Sequence, residues 1–270
     1  MNASIEYISA GIIIALILGT TAQYTMNMVY NRISLIEQQS AGVNKVDKIN
    51  DLLLLSPGCP MDWGGSCNEP EAMGLALQNS IRLYQLDADK VRRLRSDNPN
   101  YIPPGRVRGL LGLSPYYYTA IRVYPLFNIT VTQLSEERFS VEVVNQWGRP
   151  VSNVNVTAAY VNVPMVEIDK ANITSFMDLS LDGAVYAFNL TNALGTCTVN
   201  FPGTGSRESL LVMASQLSVK CLTTWPTLSE RIVGTIESSM GSVSGFNAET
   251  VYRNVEIEGL NYIVRFTLWS

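Results

Sequence analysis

Histidine is missing from the chain, and charged residues make up only 16% of its 270 positions. Without histidine the protein lacks the commonest general base, the commonest metal ligand and every catalytic triad that uses an imidazole. The sequence also has no glycine-rich phosphate loop, no G-x-S-x-G turn and no run of metal ligands. We therefore predict that the protein is not an enzyme and that it needs no cofactor and no metal.

Paired carboxylates are the remaining candidates for chemistry, because Asp178 lies near Asp182 and Glu256 lies near Glu258 in the sequence. Two acids on one side of a strand can serve a glycosidase or hold a calcium ion. Acids at this spacing are also common on solvent-facing strands, and we favour that interpretation. A net charge of −4 gives no electrostatic reason to expect a nucleic acid partner.

Charges and prolines are nearly absent from the start of the chain, where Glu6 is the only charge before Arg32 and Pro57 is the first proline. Apolar residues recur there at a spacing close to that of a coiled coil. The pattern predicts one continuous helix over residues 1–55, roughly 75 Å long at a rise of about 1.5 Å per residue. We expect such a rod to lie in a membrane or against other helices.

The opening residues Asn2-Ala3-Ser4-Ile5-Glu6-Tyr7, followed by an apolar run, resemble the class III signal region of archaeal type IV pilin-like proteins. The resemblance implies that Asn2, Ser4 and Glu6 serve filament assembly, with the acid meeting the N-terminal amine of a neighbouring subunit. The basic leader of that family is absent, and Met1 stands where Gly or Ala would precede the cut. The chain is therefore expected to begin near its mature end or to be processed differently. A plain membrane anchor and a cleaved secretory signal are the alternatives.

Cysteines and glycosylation sequons favour an extracellular location. The cysteines form two local pairs, and no C-x-x-C spacing supports zinc, so we predict two disulfides, Cys59 with Cys67 and Cys197 with Cys221. The four Asn-x-Thr tripeptides predict glycans at Asn128, Asn155, Asn172 and Asn189.

The only basic cluster lies on a short predicted helix that begins at the N-cap Asp87 and carries Lys90, Arg92, Arg93 and Arg95. Such a cluster could bind an acidic glycan or a phosphate-bearing surface. We favour a solvated helix face that is partly balanced by neighbouring aspartates.

Alternating apolar residues from Tyr116 onward predict about eight to ten short strands, including a hairpin of 176–181 with 185–190, and hence an antiparallel β-sandwich. The segment Val141–Val156, in which Gly-Arg-Pro-Val joins two strands, is similar to Ig-like surface modules of bacteria and archaea. That resemblance implies a fold rather than an activity. The predicted class is α+β, with a membrane or filament-core helix over 1–55, a small α/β connector over 56–115 and an extracellular Ig-like β-sandwich over 116–270.

These features predict a structural subunit of an extracellular type IV pilus-like filament that assembles through its N-terminal helix. Its partners would be copies of itself in a helical homopolymer, and the membrane before assembly. The alternatives are a membrane-anchored surface protein that binds glycans or cell surfaces for adhesion, a minor pseudopilin of a secretion system, and an anchored hydrolase that works through carboxylates.

Overall fold

The computed structural model describes Gln23 and residues 45–164, 167–168, 170–204, 208–226, 236–239 and 247–269. The chain divides into two compact units, Met1–Lys48 and Ile49–Ser270, and the strands among the described residues lie in the second. Most of the predicted N-terminal helix lies outside the described residues, which include its final part as a helix over 45–55. Within these ranges, no helix combines the length and the apolar character needed to cross a membrane.

The described part of the chain is mostly β-sheet, with only short helices, so the predicted α+β class is wrong. The described helices are α1 (described over 45–55), α2 (Ala88–Arg92), α3 (Pro104–Leu110) and α4 (Lys170–Met177), and a 3₁₀ turn lies at Trp63–Gly65. The strands are β1 (Gln85–Leu86), β2 (Tyr118–Pro125), β3 (Phe127–Ser135), β4 (Arg138–Asn145), β5 (Asn155–Val161), β6 (Val185–Leu190), β7 (Thr196–Asn200), β8 (Ser209–Gln216), β9 (Val219–Trp225), β10 (Ile236–Ser239), β11 (Ala248–Ile257) and β12 (Leu260–Trp269).

Two of the three sheets enclose one hydrophobic core. The three-stranded sheet has the order β3-β4-β7 and the four-stranded sheet the order β6-β5-β8-β9. Alternate residues of both sheets point inward, as the pleat of a strand requires, and Phe139, Tyr160 and Phe201 meet there as fully buried aromatic side chains. Phe139 contacts Tyr160 edge-to-face with ring centroids 5.3 Å apart, a geometry that aromatic pairs prefer.

The predicted sandwich over 116–270 is wrong in extent, because its first and last strands form a separate sheet of order β1-β11-β12-β2-β10. In that sheet β12 pairs with β2 and β11, and β1, from the predicted connector, pairs with β11 in parallel. The physical reason is that a period of two shows which face of a strand is buried but does not show which other strand it pairs with. The segment Val141–Val156 supplies β4 and β5, which lie in different sheets.

One predicted strand is the end of a helix and the turn after it. Residues 176–181 were expected to pair with 185–190, yet α4 extends to Met177 and only the second segment is a strand, β6. Phe176 is fully buried and its ring stacks on Tyr186 of β6 with centroids 6.3 Å apart. Burial of one aromatic residue therefore fits a helix that lies against the sheet as well as it fits a strand.

The predicted N-cap of α2 is confirmed, because the Asp87 carboxylate accepts hydrogen bonds from the backbone N–H groups of Asp89 and Lys90. The solvated basic face predicted for the same helix is wrong at two positions, since Lys90 is fully buried and Arg93 is 3% exposed. The Lys90 ammonium donates to the carbonyl oxygens of Pro57 at 3.0 Å and Ala76 at 2.9 Å. Burial lowers the pKa of Lys90. These cations hold the surrounding loop to the helix.

Candidate functional site

An open groove of about 1090 Å³ lies between the five-stranded sheet and the β3–β4 side of the sandwich. One wall consists of residues from β2, β11 and β12. The other wall consists of residues from β3, from the end of β4 and from the turn that follows it. We call this cavity, with Arg122, Tyr252 and Arg265 on its sheet wall and Trp147 on its turn wall, the arginine–tyrosine groove.

Strand alternation places polar and aromatic side chains on the sheet wall of the arginine–tyrosine groove. In β2, Ile121 and Val123 are buried, whereas Arg122 and Tyr124 line the groove. The same period of two in β12 buries Val264 and Phe266 on the opposite face and sends Arg265 to the groove. The sheet core and the groove wall are thus two faces of the same strands.

The strand register brings the charged residues of this wall into one row. Arg265 pairs with Arg122 on one side and with Tyr252 on the other. The guanidinium carbon of Arg265 lies 5.8 Å from the centre of the Tyr252 ring, within the range of a cation–π contact. In the described chain Arg265 has no carboxylate partner, and its Nε is buried without a hydrogen-bond acceptor. Glu237 of β10 is the register partner of Arg122 on the other side of β2.

The pKa of Tyr124 is shifted by its surroundings in the groove. Burial raises the pKa of its phenol, the nearby Tyr252 raises it further, and the positive charges of Arg265 and Arg122 oppose the rise. The phenol therefore stays protonated at neutral pH and can donate a hydrogen bond.

The turn after β4 forms the second wall and holds an exposed aromatic residue. The Asn145 carboxamide oxygen accepts hydrogen bonds from the backbone N–H groups of Trp147 and Arg149, both at 3.0 Å. Gly148 has a φ of +73°, a conformation that glycine adopts without a steric penalty. The turn is therefore fixed by its own sequence, and it presents Trp147 with 74% of its surface exposed. The Gln146 Oε1 atom is buried there without a donor.

The composition of the arginine–tyrosine groove suits binding better than catalysis. Its described lining has no Asp, Glu, Cys, Ser or Lys that could act as an acid, base or nucleophile. It does have two guanidinium groups, several aromatic rings and the amides of Asn145, Gln146 and Asn254. Guanidinium groups recognise carboxylates, amides bond to hydroxyls, and aromatic faces give a flat apolar surface.

The predicted assembly residues Asn2, Ser4 and Glu6 lie outside the residues that the structure describes. Their role stays a prediction.

The four predicted glycosylation sites differ in their surroundings. Asn128 and Asn155 are exposed, Asn172 is half-buried in α4, and Asn189 is exposed at the edge strand β6. The Asn189 Nδ2 donates to the Thr198 carbonyl oxygen at 2.7 Å, so this side chain already links the two sheets of the sandwich. Asn128 also lines the arginine–tyrosine groove. The structure therefore brings one predicted glycan site to the groove.

The four cysteines are free thiols in the structure, so the predicted disulfides stay a prediction. Cys59 and Cys67 are exposed. Cys197 on β7 and Cys221 on β9 are buried in the shared core of the sandwich, and we call these two residues the core thiols. Burial raises the pKa of both core thiols. A raised pKa leaves little thiolate at neutral pH, which makes a buried thiol slow to react.

The candidate carboxylates Glu256 and Glu258 have separate cationic partners. Glu256 accepts from Arg82 at 3.1 Å, and Glu258 lies 3.5 Å from Arg92, so each acid is part of its own ion pair. Asp178 and Asp182 are exposed. In the described ranges no group of three or more Cys, Asp or Glu residues could hold a metal ion.

Comparison with protein families, with curated proteins and with solved structures found no match. The arginine–tyrosine groove escaped sequence reasoning because its residues come from three separate stretches of the chain. A usable signal was present in Arg122 and Tyr124, which alternate with the buried residues of β2, and in a tryptophan next to the glycine of a tight turn.

Proposed function

We propose that the chain is a structural subunit of an extracellular type IV pilus-like filament, assembled through its N-terminal segment. The observation that carries the proposal is the position of Glu6, the only charge in an apolar start that extends to Arg32. A carboxylate beside an apolar segment is costly unless it is paired, and a neighbouring subunit's N-terminal amine would pair with it. The subunit would be held by the membrane before assembly and would lie at the cell surface afterwards.

Exposed aliphatic side chains support a second contact between copies. They lie on two segments of the chain, α1 and the loop that leads to β1. The Tyr84 hydroxyl links these segments, because it donates a hydrogen bond to the Asp51 carboxylate at 3.2 Å. The exposed residues are Leu52 and Leu55 of α1, and Leu77, Ile81 and Leu83 of the loop that leads to β1. Large apolar side chains exposed together are typical of protein interaction surfaces. Because this region directly follows the N-terminal segment, a neighbouring copy is the partner that we propose for it.

Replacement of Glu6 tests the proposal directly. We expect Glu6→Ala to abolish filaments in negative-stain images and in sedimentation of native material, because the N-terminal amine of the neighbour loses its partner. Glu37→Ala removes the same charge farther along the segment and should leave assembly intact. Normal filaments from the Glu6 variant would show that this acid has no role in assembly.

The aliphatic surface has its own test. Ile81→Ser and Leu83→Ser together should reduce the length or number of filaments without loss of folding, since both residues are exposed. Leu217 lies in the β8–β9 turn and is as exposed as Ile81, so Leu217→Ser is a control for the change from a large apolar to a small polar side chain at a distant site. If the loop variant assembles as well as the control, this surface is not a subunit contact.

A second candidate function, a membrane-anchored surface protein that binds a ligand, is favoured by the arginine–tyrosine groove. In this function the β body binds a partner whether or not the chain polymerises. A variant that loses ligand binding but still forms filaments, or one that forms no filaments but still binds the ligand, would separate the two functions.

A further inference from the structure

We infer that the arginine–tyrosine groove binds an acidic sugar residue, with its carboxylate on the arginine side and its ring against the aromatic side chains. The inference rests on the second candidate function and names its ligand class. It does not depend on filament assembly.

The anionic part of the ligand follows from Arg265. This side chain is half-buried, stacked on Tyr252, and without a carboxylate partner in the described part of the chain. Its register partner Arg122 places a second guanidinium on the same wall. Planar guanidinium groups favour a carboxylate, which they bind through two parallel hydrogen bonds.

The sugar part follows from the opposite wall. Trp147 is exposed at a turn whose backbone is fixed by the Asn145 carboxamide, so most of the indole surface is open to a ligand. The C–H face of a pyranose stacks on such a ring, and its hydroxyls pair with amide groups. The buried Gln146 Oε1, which lacks a donor, and the exposed Asn254 supply those amides. An inorganic phosphate would use the guanidinium groups and leave the tryptophan and the amides unused.

Two sources could supply this chemistry. One is a polysaccharide in solution or on a neighbouring surface. The other is a glycan attached to Asn128, because this predicted acceptor lines the same groove. The chemistry of the ligand is the same in both cases, and the replacement of Asn128 distinguishes them.

The experiment measures binding of the full chain in detergent to a short polyuronate by titration calorimetry. We expect binding to the polyuronate and at least tenfold weaker binding to a neutral glucan of equal length, as expected for the loss of one hydrogen bond to a charged group. Arg265→Gln and Trp147→Ala should each weaken polyuronate binding about tenfold or more. Arg138→Gln, a change of an exposed arginine outside the groove, should have no effect.

Three results would overturn the inference. They are equal binding of the charged and neutral glycans, unchanged binding by Arg265→Gln with intact folding by circular dichroism, and tighter binding of a single-stranded DNA of equal charge. If the native chain binds nothing but Asn128→Gln binds the polyuronate, the attached glycan is the occupant and the inference holds. If neither binds, it fails. Because Glu6→Ala should bind like the native chain, a failure of the filament proposal leaves this result unaffected.

Discussion

Arg93 provides the sharpest test of how the loop around α2 is held. Its Nη1 lies 2.6, 3.1 and 3.0 Å from the carbonyl oxygens of Trp63, Ser66 and Asn68, and its Nε donates to the Asn100 carbonyl oxygen at 3.0 Å. The guanidinium carbon also lies 5.2 Å from the centre of the Trp63 ring. One buried cation thus satisfies carbonyl groups on two separate loop segments.

Arg93→Lys keeps the charge and loses the planar fork that reaches several carbonyls at once. A hydrogen bond that involves a charged group contributes about 1.5–3 kcal/mol, and a lysine ammonium in this position would retain roughly half of the contacts. Loss of two such bonds corresponds to about 3–6 kcal/mol, and loss of the partly desolvated cation–π contact adds about 1 kcal/mol. Because neighbouring interactions are not additive, we expect a loss of about 3–4 kcal/mol in the free energy of unfolding.

Urea unfolding followed by circular dichroism measures this loss. Arg106→Lys is the control, because Arg106 is 52% exposed and its bond to Glu69 at 2.9 Å is a surface ion pair. Such pairs contribute about 0–1 kcal/mol. If Arg93→Lys unfolds at the same urea concentration as the control, the carbonyl contacts of Arg93 do not stabilise the loop and our reasoning about buried cations in this region is refuted.

Three further predictions follow from the described core and surface. Burial raises the pKa of each core thiol in the folded chain, so the contribution of these thiols to the free energy of unfolding is present below about pH 9, the ordinary thiol pKa, and is lost as pH rises above it. The urea concentration at the unfolding midpoint should therefore fall between pH 7.5 and 10, and it should fall less when both core thiols are replaced by alanine. Gly195→Ala should cost about 2–4 kcal/mol, because φ is +71° and a Cβ would lie 2.6 Å from a β4 carbonyl oxygen, whereas Gly203→Ala, with φ of +72° and open space, should cost about 1 kcal/mol in the same urea experiment. Mass spectrometry of glycopeptides should find high occupancy at Asn155 and low occupancy at Asn189, whose amide is bonded across the sheets; equal occupancy would contradict this reading.

Strand identity was predictable where alternation is clean. In β4 the residues Phe139, Val141 and Val143 are fully buried, as their spacing predicts, and Glu142 between them is exposed. The N-cap at Asp87 was predictable for a local reason too, since its partners are two and three positions away. Features that depend on residues close by in the sequence could therefore be predicted from this sequence.

Partners that are distant in the chain could not be predicted. Arg122 and Arg265 become neighbours only through the register of β2 with β12, and no local pattern specifies that pairing. The buried state of Lys90 was missed for a related reason. A helix of five residues is too short to show which face is covered, and the loop that covers this cation comes from a preceding segment.

The filament proposal and the sugar-binding proposal together predict a measurable quantity, the number of grooves that can bind one polysaccharide at the same time. An open groove with one or two ion pairs binds a single sugar residue weakly, but a filament would carry many copies along one polysaccharide. Linked binding events can raise the apparent affinity by about 10²- to 10⁴-fold without a new contact. We therefore expect Glu6→Ala subunits and native filaments to bind a short uronate oligosaccharide equally, and native filaments to bind a long polyuronate far more tightly. Biolayer interferometry on immobilised short and long chains measures this. Equal affinity of filaments and subunits for the long chain would mean that the grooves of neighbouring copies cannot reach one polymer together.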